Sequence, residues 1–261
     1  MSITFKNELN HRGVWFAHLK GSSFRIGNEI HPYHEIIYFQ KVKGKFLCEQ
    51  FETELSNNSV IVIPKNTYHQ VIIDDQEEYT RLLINFPDLD SLTDIKCLEA
   101  GKIKIINPLI KDIEFIYNKM ISSLASTGKN KQNMIFGCFM MLLSEIENAD
   151  CFMPSYQNNR SRELIKQCLS YIDKNFCSEL SVNSIAKAIN VSDSTLYLLF
   201  KKNLGITIHR YITEKRIMYA HEKIKDGALP TKIYPECGYN DYATFYKAYV
   251  SFFGKSPSEN F

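Results

Sequence analysis

In the first third of the chain, hydrophobic positions come in short runs broken by polar turns. The segment EIIYFQKVKGKFLCEQF, residues 35–51, is dense in β-branched and aromatic side chains on both sides of Gly44, which predicts strand, turn and strand. SVIVIP (59–64) and YTRLLINFP (79–87) are two more apolar runs, each closed by a proline. Polar turns such as SNN and DDQEE separate them, so residues 1–90 read as a small sandwich or barrel. From about residue 106 the period changes to that of a helix. Leu109, Ile113, Ile116, Met120 and Leu124 fall on one face. After the polar STGKNKQN, a second helix carries Ile135, Phe139, Leu142, Leu143 and Ile146 as a broad stripe. That breadth leaves two readings open: an intramolecular core helix, or a pair of helices that also packs on a second copy.

FMPSYQNNR, residues 152–160, has no hydrophobic pattern and reads as a linker. Everything after it reads as helix. RELIKQCLSYIDKNF turns Leu164, Ile165, Cys168, Leu169 and Ile172 inward. Ser181 is a candidate N-cap for a short helix with Ile185, Ala186 and Ile189. Asn190-Val191-Ser192 makes the turn, because Asn tolerates the left-handed conformation and Ser192 caps the next helix. That helix buries Leu196, Leu199 and Phe200 and stops at Gly205. A long helix follows, with Tyr211, Ile212, Ile217, Ala220 and Ile224 inward and Gly227 at its end. The same punctuation then repeats: a short helix begins at Ile233, Gly238-Tyr239 turns, Asn240 and Asp241 open a helix with Phe245 and Tyr249 inward, and Gly254 ends it. A short helix, a tight turn and a second helix free on one side is helix-turn-helix grammar, here present twice.

Charge sharpens this picture. The net charge of +2 divides into 16 Lys+Arg against 19 Asp+Glu in residues 1–159, and 15 against 10 in residues 160–261. A basic C-terminal part suits a polyanionic partner. The seven cysteines are widely spaced with no Cys-x-x-Cys pair, which predicts buried thiols in a reducing compartment and neither a disulfide framework nor a zinc site. No signal-peptide core or run of eighteen apolar residues is found, so the expectation is a cytoplasmic protein with no membrane contact.

Residues 163–258 resemble the DNA-binding domain of the AraC/XylS family of bacterial regulators. The match rests on Ile233-Tyr234, Gly238-Tyr239, Asp241, Ala243-Thr244-Phe245, Lys247, Tyr249-Val250-Ser251, Gly254 and Ser256-Pro257. Tyr211, Arg216, Ala220 and Ile224 of the joining helix match as well. The N-terminal part is similar to the cupin-like sensor of many such regulators, through His34-Glu35-Ile36, the turn at Gly44, Pro64 followed by His69, and LLINF. The resemblance implies an α+β two-domain fold. Residues 1–151 would be a cupin-like β-barrel (about 1–90) with a helical pair (about 106–149) for sensing and dimerisation. Residues 152–160 would be the linker, and 161–261 an all-α DNA-binding domain with two helix-turn-helix units joined by a long helix. It implies double-stranded promoter DNA as partner, RNA polymerase as a second one, a homodimer through the N-terminal helices and a small-molecule effector.

Departures from the family pattern are Leu198 where Arg is frequent, Val250-Ser251 where the family has Lys-Lys, Tyr234 where it has Ala, and Pro235 within the second short helix. The first two remove phosphate-binding charge. The expected DNA contacts are Ser194, Thr195, Tyr197 and Lys201 in the first unit, and Asn240, Tyr242, Thr244, Tyr246 and Lys247 in the second. Arg216 matches a position that reads as structural. His34, Tyr38, His69 and Arg81 are the candidates for an effector pocket. His31, His34, Glu35 and His69 are metal-ligating types, but the His-x-His of metal cupins is absent, and three residues along a strand send His31 and His34 to opposite faces. The reading is therefore no metal, no cofactor and no enzyme. Its rivals are a metal-dependent cupin enzyme with an accessory helical domain, and an interaction protein that kept the fold without binding DNA.

Overall fold

A computed structural model describes residues 2–22, 29–48, 51–74, 77–89, 103–106, 111–149 and 160–259. The chain divides into two compact units, Met1–Ser155 and Tyr156–Phe261. The expected linker, apart from Arg160, lies outside the described residues.

In the first unit the strands are β1 (Ser2–His11), β2 (Val14–Ser22), β3 (His34–Lys41), β4 (Gly44–Cys48), β5 (Glu52–Leu55), β6 (Ser59–Ile63), β7 (His69–Ile73), β8 (Glu78–Phe86) and β9 (Lys104–Ile106). They form two sheets, a six-stranded one in the order β1-β2-β8-β3-β6-β9 and a three-stranded one in the order β5-β4-β7. Antiparallel pairing sets Ile36 against Ile84 and Val62, so the central strands share faces in register. Alternation along β3 then sorts the core. Ile36 and Tyr38 join Val62, Leu82 and Ile84 beneath the helices α1 (Lys111–Ala125) and α2 (Lys131–Asn148). Ile37 and Phe39 join Ile61, Phe46 and Val71 between the two sheets. Burial on both faces explains why SVIVI and LLINF read as continuous apolar runs. Phe139 of α2 is fully buried, with ring centroids 5.8 Å from Phe16 and 5.0 Å from Phe86. Truncating a side chain so placed costs about 3–5 kcal/mol. Gly44 is required at the β3–β4 corner, since a Cβ there would lie 2.1 Å from the Ile72 carbonyl oxygen. The short β9 pairs with the edge of β6, at a place where the sequence reading has no strand.

The second unit is helical among its described residues: α3 (Arg160–Asn175), α4 (Val182–Ala188), α5 (Asp193–Asn203), α6 (Ile208–Lys225), α7 (Pro230–Ile233) and α8 (Tyr242–Phe253). α3, α4 and α5 pack on one another, while α7 and α8 pack on α6. Ile217, Ala220 and Ile224 of α6 share a core with Ile233, Cys237, Phe245 and Tyr249. Among the described residues no helix is long and apolar enough to cross a membrane.

Candidate nucleic-acid interface

The turns before α5 and α8 are built from local hydrogen bonds. Ser181 and Ser184 form a reciprocal capping box at α4. Asn190 takes φ 55°, the left-handed conformation expected there, and Val191 N–H returns to the Ala186 carbonyl at 3.0 Å. Ser192 Oγ accepts from Thr195 N–H at 3.1 Å, and Asp241 Oδ1 accepts from Thr244 N–H at 2.8 Å. The Asp241 carboxyl is accordingly held below the usual carboxylate range by its bonds to Thr244.

With Leu196, Leu199 and Phe200 inward, α5 turns Ser194, Thr195, Tyr197, Leu198 and Lys201 to solvent. With Phe245 and Tyr249 inward, α8 exposes Thr244, Tyr246 and Lys247; Asn240 is exposed just before it and Tyr242 is half-buried against Tyr234. Two of the nine expected contacts have hydroxyls already engaged, since Thr195 Oγ1 lies 2.9 Å from Ser192 Oγ and Thr244 Oγ1 donates to Asp241 Oδ2 at 2.8 Å. Leu198 stands outside that set, yet at 69% exposure it is among the barest large apolar side chains. Its signals in the sequence are its place on the polar face of the helix and its departure from the family pattern.

The cations of α5 and α6 divide as well. Lys201 and Lys202 are exposed in the last turn of α5. Lys215 is paired with Asp173 at 3.0 Å, and Arg210 Nε donates to Glu214 Oε1 at 2.6 Å. Arg216 is a structural clamp. Its Nε donates to the Phe176 carbonyl at 2.7 Å, Nη2 donates to the Ser178 carbonyl at 3.0 Å, and the guanidinium lies 5.7 Å from the Tyr239 ring centroid. One side chain on α6 thus ties the end of α3 to the turn before α8.

In the N-terminal unit the four pocket candidates split between two faces. His34 and Tyr38 point to the helix side. His34 Nδ1 accepts from Lys65 N–H at 3.2 Å while Nε2 sits 3.0 Å from Asp88, and Tyr38 stacks on Tyr117 at 4.3 Å. His69 and Arg81 belong to the space between the sheets, where Glu35, His31 and Glu29 join them. Glu35 Oε2 is 3.1 Å from His69 Nε2 and 3.5 Å from His31 Nε2. Burial alone would raise the Glu35 carboxyl, but hydrogen bonding to His31 and His69 holds it well below the usual range. Burial likewise opposes a charge on His69, and pairing with Glu35 overcomes it and raises that imidazole. Glu29, which no motif in the sequence marks, arrives through an isolated bridge to His69.

Residues 185–260 match a family model described as a helix-turn-helix domain. The chain is 25% identical over 252 residues to the Msm operon regulatory protein of Streptococcus mutans, covering 92% of this chain and 87% of that protein. It is 30% identical over 151 residues to the lactose operon transcription activator of Staphylococcus xylosus, with 58% and 54% covered. With the raffinose operon transcriptional regulatory protein RafR of Pediococcus pentosaceus it shares 24% identity over 249 residues, 89% and 86% covered. These findings meet the motif in the helices described above.

Over these helices the chain is similar to regulators of the AraC/XylS type.

It is a DNA-binding transcription regulator. Set against the AraC/XylS pattern, the proline departure has a simple resolution. Leu229 and Pro230 open α7, with Pro230 in the first turn, so Ile233 ends that helix where the sequence pattern had it begin. Pro235 then falls beyond the helix, and its carbonyl accepts from Gly238 N–H at 3.0 Å. Tyr234, where AraC/XylS members carry a small residue, packs edge-on to Tyr242 at 5.8 Å and fills the space left beside Phe245.

Proposed function

We propose that this regulator reads DNA with two helix-turn-helix units, α4–α5 and α7–α8, held by α6, and that a signal received in a cupin-like N-terminal domain sets its affinity. The observation that carries the reading is that α5 and α8 are each capped by a side chain and each present a polar, exposed face. Ser194, Tyr197 and Lys201 are the contacts proposed for the first unit, with Thr195 bonded into its cap. Asn240, Tyr242, Tyr246 and Lys247 serve the second, with Thr244 likewise in its cap. Lysines go to phosphate or guanine, and the hydroxyl and amide groups to phosphates or base edges. Two of the three relatives are named for lactose and raffinose operons, which favours a carbohydrate operon as the target. A small-molecule effector between the sheets, near His69 and Arg81, action in the cytoplasm and contact with RNA polymerase complete the proposal. Homodimerisation through α1 and α2 belongs to it too, supported by Phe115, Met134 and Met141, three exposed apolar side chains on those helices.

Gel-shift titrations of the full chain against its own upstream region, at several salt concentrations, test this. Sequence-selective binding that weakens steeply with salt is expected. Equal affinity for promoter and unrelated duplex, or no binding, would favour the interaction-protein reading.

A further inference from the structure

We propose that His31, Glu35 and His69 form a binding site for a divalent first-row transition metal, with two imidazole nitrogens and one carboxylate as ligands. The ligand atoms of these three residues all lie within 4.8 Å of one another, and all three side chains are buried. A cation bound at about 2.0–2.2 Å from nitrogen and oxygen puts neighbouring ligand atoms roughly 3 to 3.5 Å apart. Glu35 Oε2 already stands at 3.1 Å from His69 Nε2 and 3.5 Å from His31 Nε2.

The second nitrogen of each ring decides which atom is offered. His31 Nδ1 lies 2.8 Å from the Tyr33 carbonyl oxygen, and His69 Nδ1 lies 3.0 Å from the Thr67 carbonyl oxygen. A carbonyl only accepts, so both Nδ1 atoms carry hydrogen, and both Nε2 atoms, which face Glu35, are the ones that offer a lone pair once an ion takes the place of their proton. Imidazoles that ligate metals are fixed in this way, one nitrogen donating to the backbone and the other facing the ion. The rings are also held in place. His31 stacks on Tyr33 at 3.9 Å, and its backbone carbonyl accepts from Asn66 N–H at 2.9 Å. His69 exchanges two backbone hydrogen bonds with Glu29 and lies over Phe46 at 6.2 Å.

Placement adds a consequence. Glu35 sits on β3 of the six-stranded sheet and His69 on β7 of the three-stranded sheet, so one ion would tie the two sheets together. Glu29 Oε2, 4.0 Å from His69 Nε2 and 45% exposed on its side chain, stands at the rim as a further oxygen. Two nitrogens and one carboxylate with other positions open suit zinc or iron(II) and do not suit calcium or magnesium, which take oxygen ligands. His34 is excluded, because Lys65 and Asp88 hold its two nitrogens. The inference does not depend on whether the C-terminal unit binds DNA.

The test uses the full chain, stripped with a chelator, loaded with zinc or cobalt(II), and freed of loose metal by gel filtration. One equivalent of zinc per chain is expected, with a cobalt(II) spectrum lacking the thiolate charge-transfer band that cysteine ligation would give. Glu35→Gln and His69→Gln should lose that equivalent, while His34→Gln keeps it. A chain that elutes free of metal overturns the proposal. So does a thiolate band, or an equivalent that survives both substitutions. Should those variants fail to fold, the cobalt spectrum of the unaltered chain decides: a nitrogen and oxygen signature at one equivalent supports the site, and its absence overturns it.

Discussion

Gly238 shows how much one residue can fix. Its φ is +81°, and a Cβ there would lie 2.8 Å from Cζ of Arg216. Gly238→Ala therefore strains the backbone by about 1–2 kcal/mol and also displaces the guanidinium that bonds to the Phe176 and Ser178 carbonyls. Gly227, at φ +98° and with nothing within 4 Å of an added methyl, isolates the backbone part. Urea melts should find Gly238→Ala more destabilising than Gly227→Ala by roughly 1–2 kcal/mol; equal losses would mean Arg216 moves freely. Leu198 is the other telling residue. On the proposal that α5 reads DNA, its exposed leucine suits the methyl group of thymine and neutralises no phosphate. Leu198→Arg should steepen the salt dependence of DNA binding by about one counterion while reducing discrimination between promoter and random duplex. Unchanged slope in salt-series titrations would place Leu198 off the DNA.

Among the elements, the packing of α8 on α6 carries a titratable joint. His221 Nδ1 lies 2.8 Å from the Tyr249 hydroxyl, and its ring stacks on Phe253 at 4.4 Å. Burial, and then the charge of Lys225, lower its pKa from the usual 6.5, against an opposing pull from Glu222. The unfolded chain consequently takes up a proton more readily than the folded one. The stability this residue lends is complete above pH 6.5 and is lost as pH falls from there through the lowered value. Melting temperature should fall between about pH 7 and pH 5, and His221→Gln should remove part of that slope; parallel curves for both proteins would rule out the joint. None of this is readable from the sequence, which shows periodicity and not which polar group meets which. The caps and the turn are readable: Ser181, Ser192 and Asp241 bond to the residue three positions on, Asn190 acts through its own backbone conformation, and local chemistry is what sequence patterns encode. The strands of the N-terminal unit are legible as runs. Their division into two sheets, the edge strand β9 and the meeting of His31 with His69 are not, since these depend on pairings between distant segments.

For the DNA-binding unit as a whole, the decisive quantity is the stiffness of α6. Its eighteen residues span roughly 27 Å. α7 and α8 pack on it directly, and Arg216 joins it to the end of α3, which packs with α4 and α5. Successive major grooves on one face of a duplex recur about every 34 Å, so the two reading helices proposed above, fixed to one rod, would match a single spacing. Inserting half a helical turn between the two contacted segments should abolish tight binding, because the second segment then faces away. Inserting a full turn restores the facing but doubles the distance, and a stiff α6 cannot follow. Both insertions should therefore reduce affinity to that of one unit alone. Two units on a flexible tether would instead recover with the full turn, a difference that competition gel shifts on three otherwise identical duplexes resolve directly.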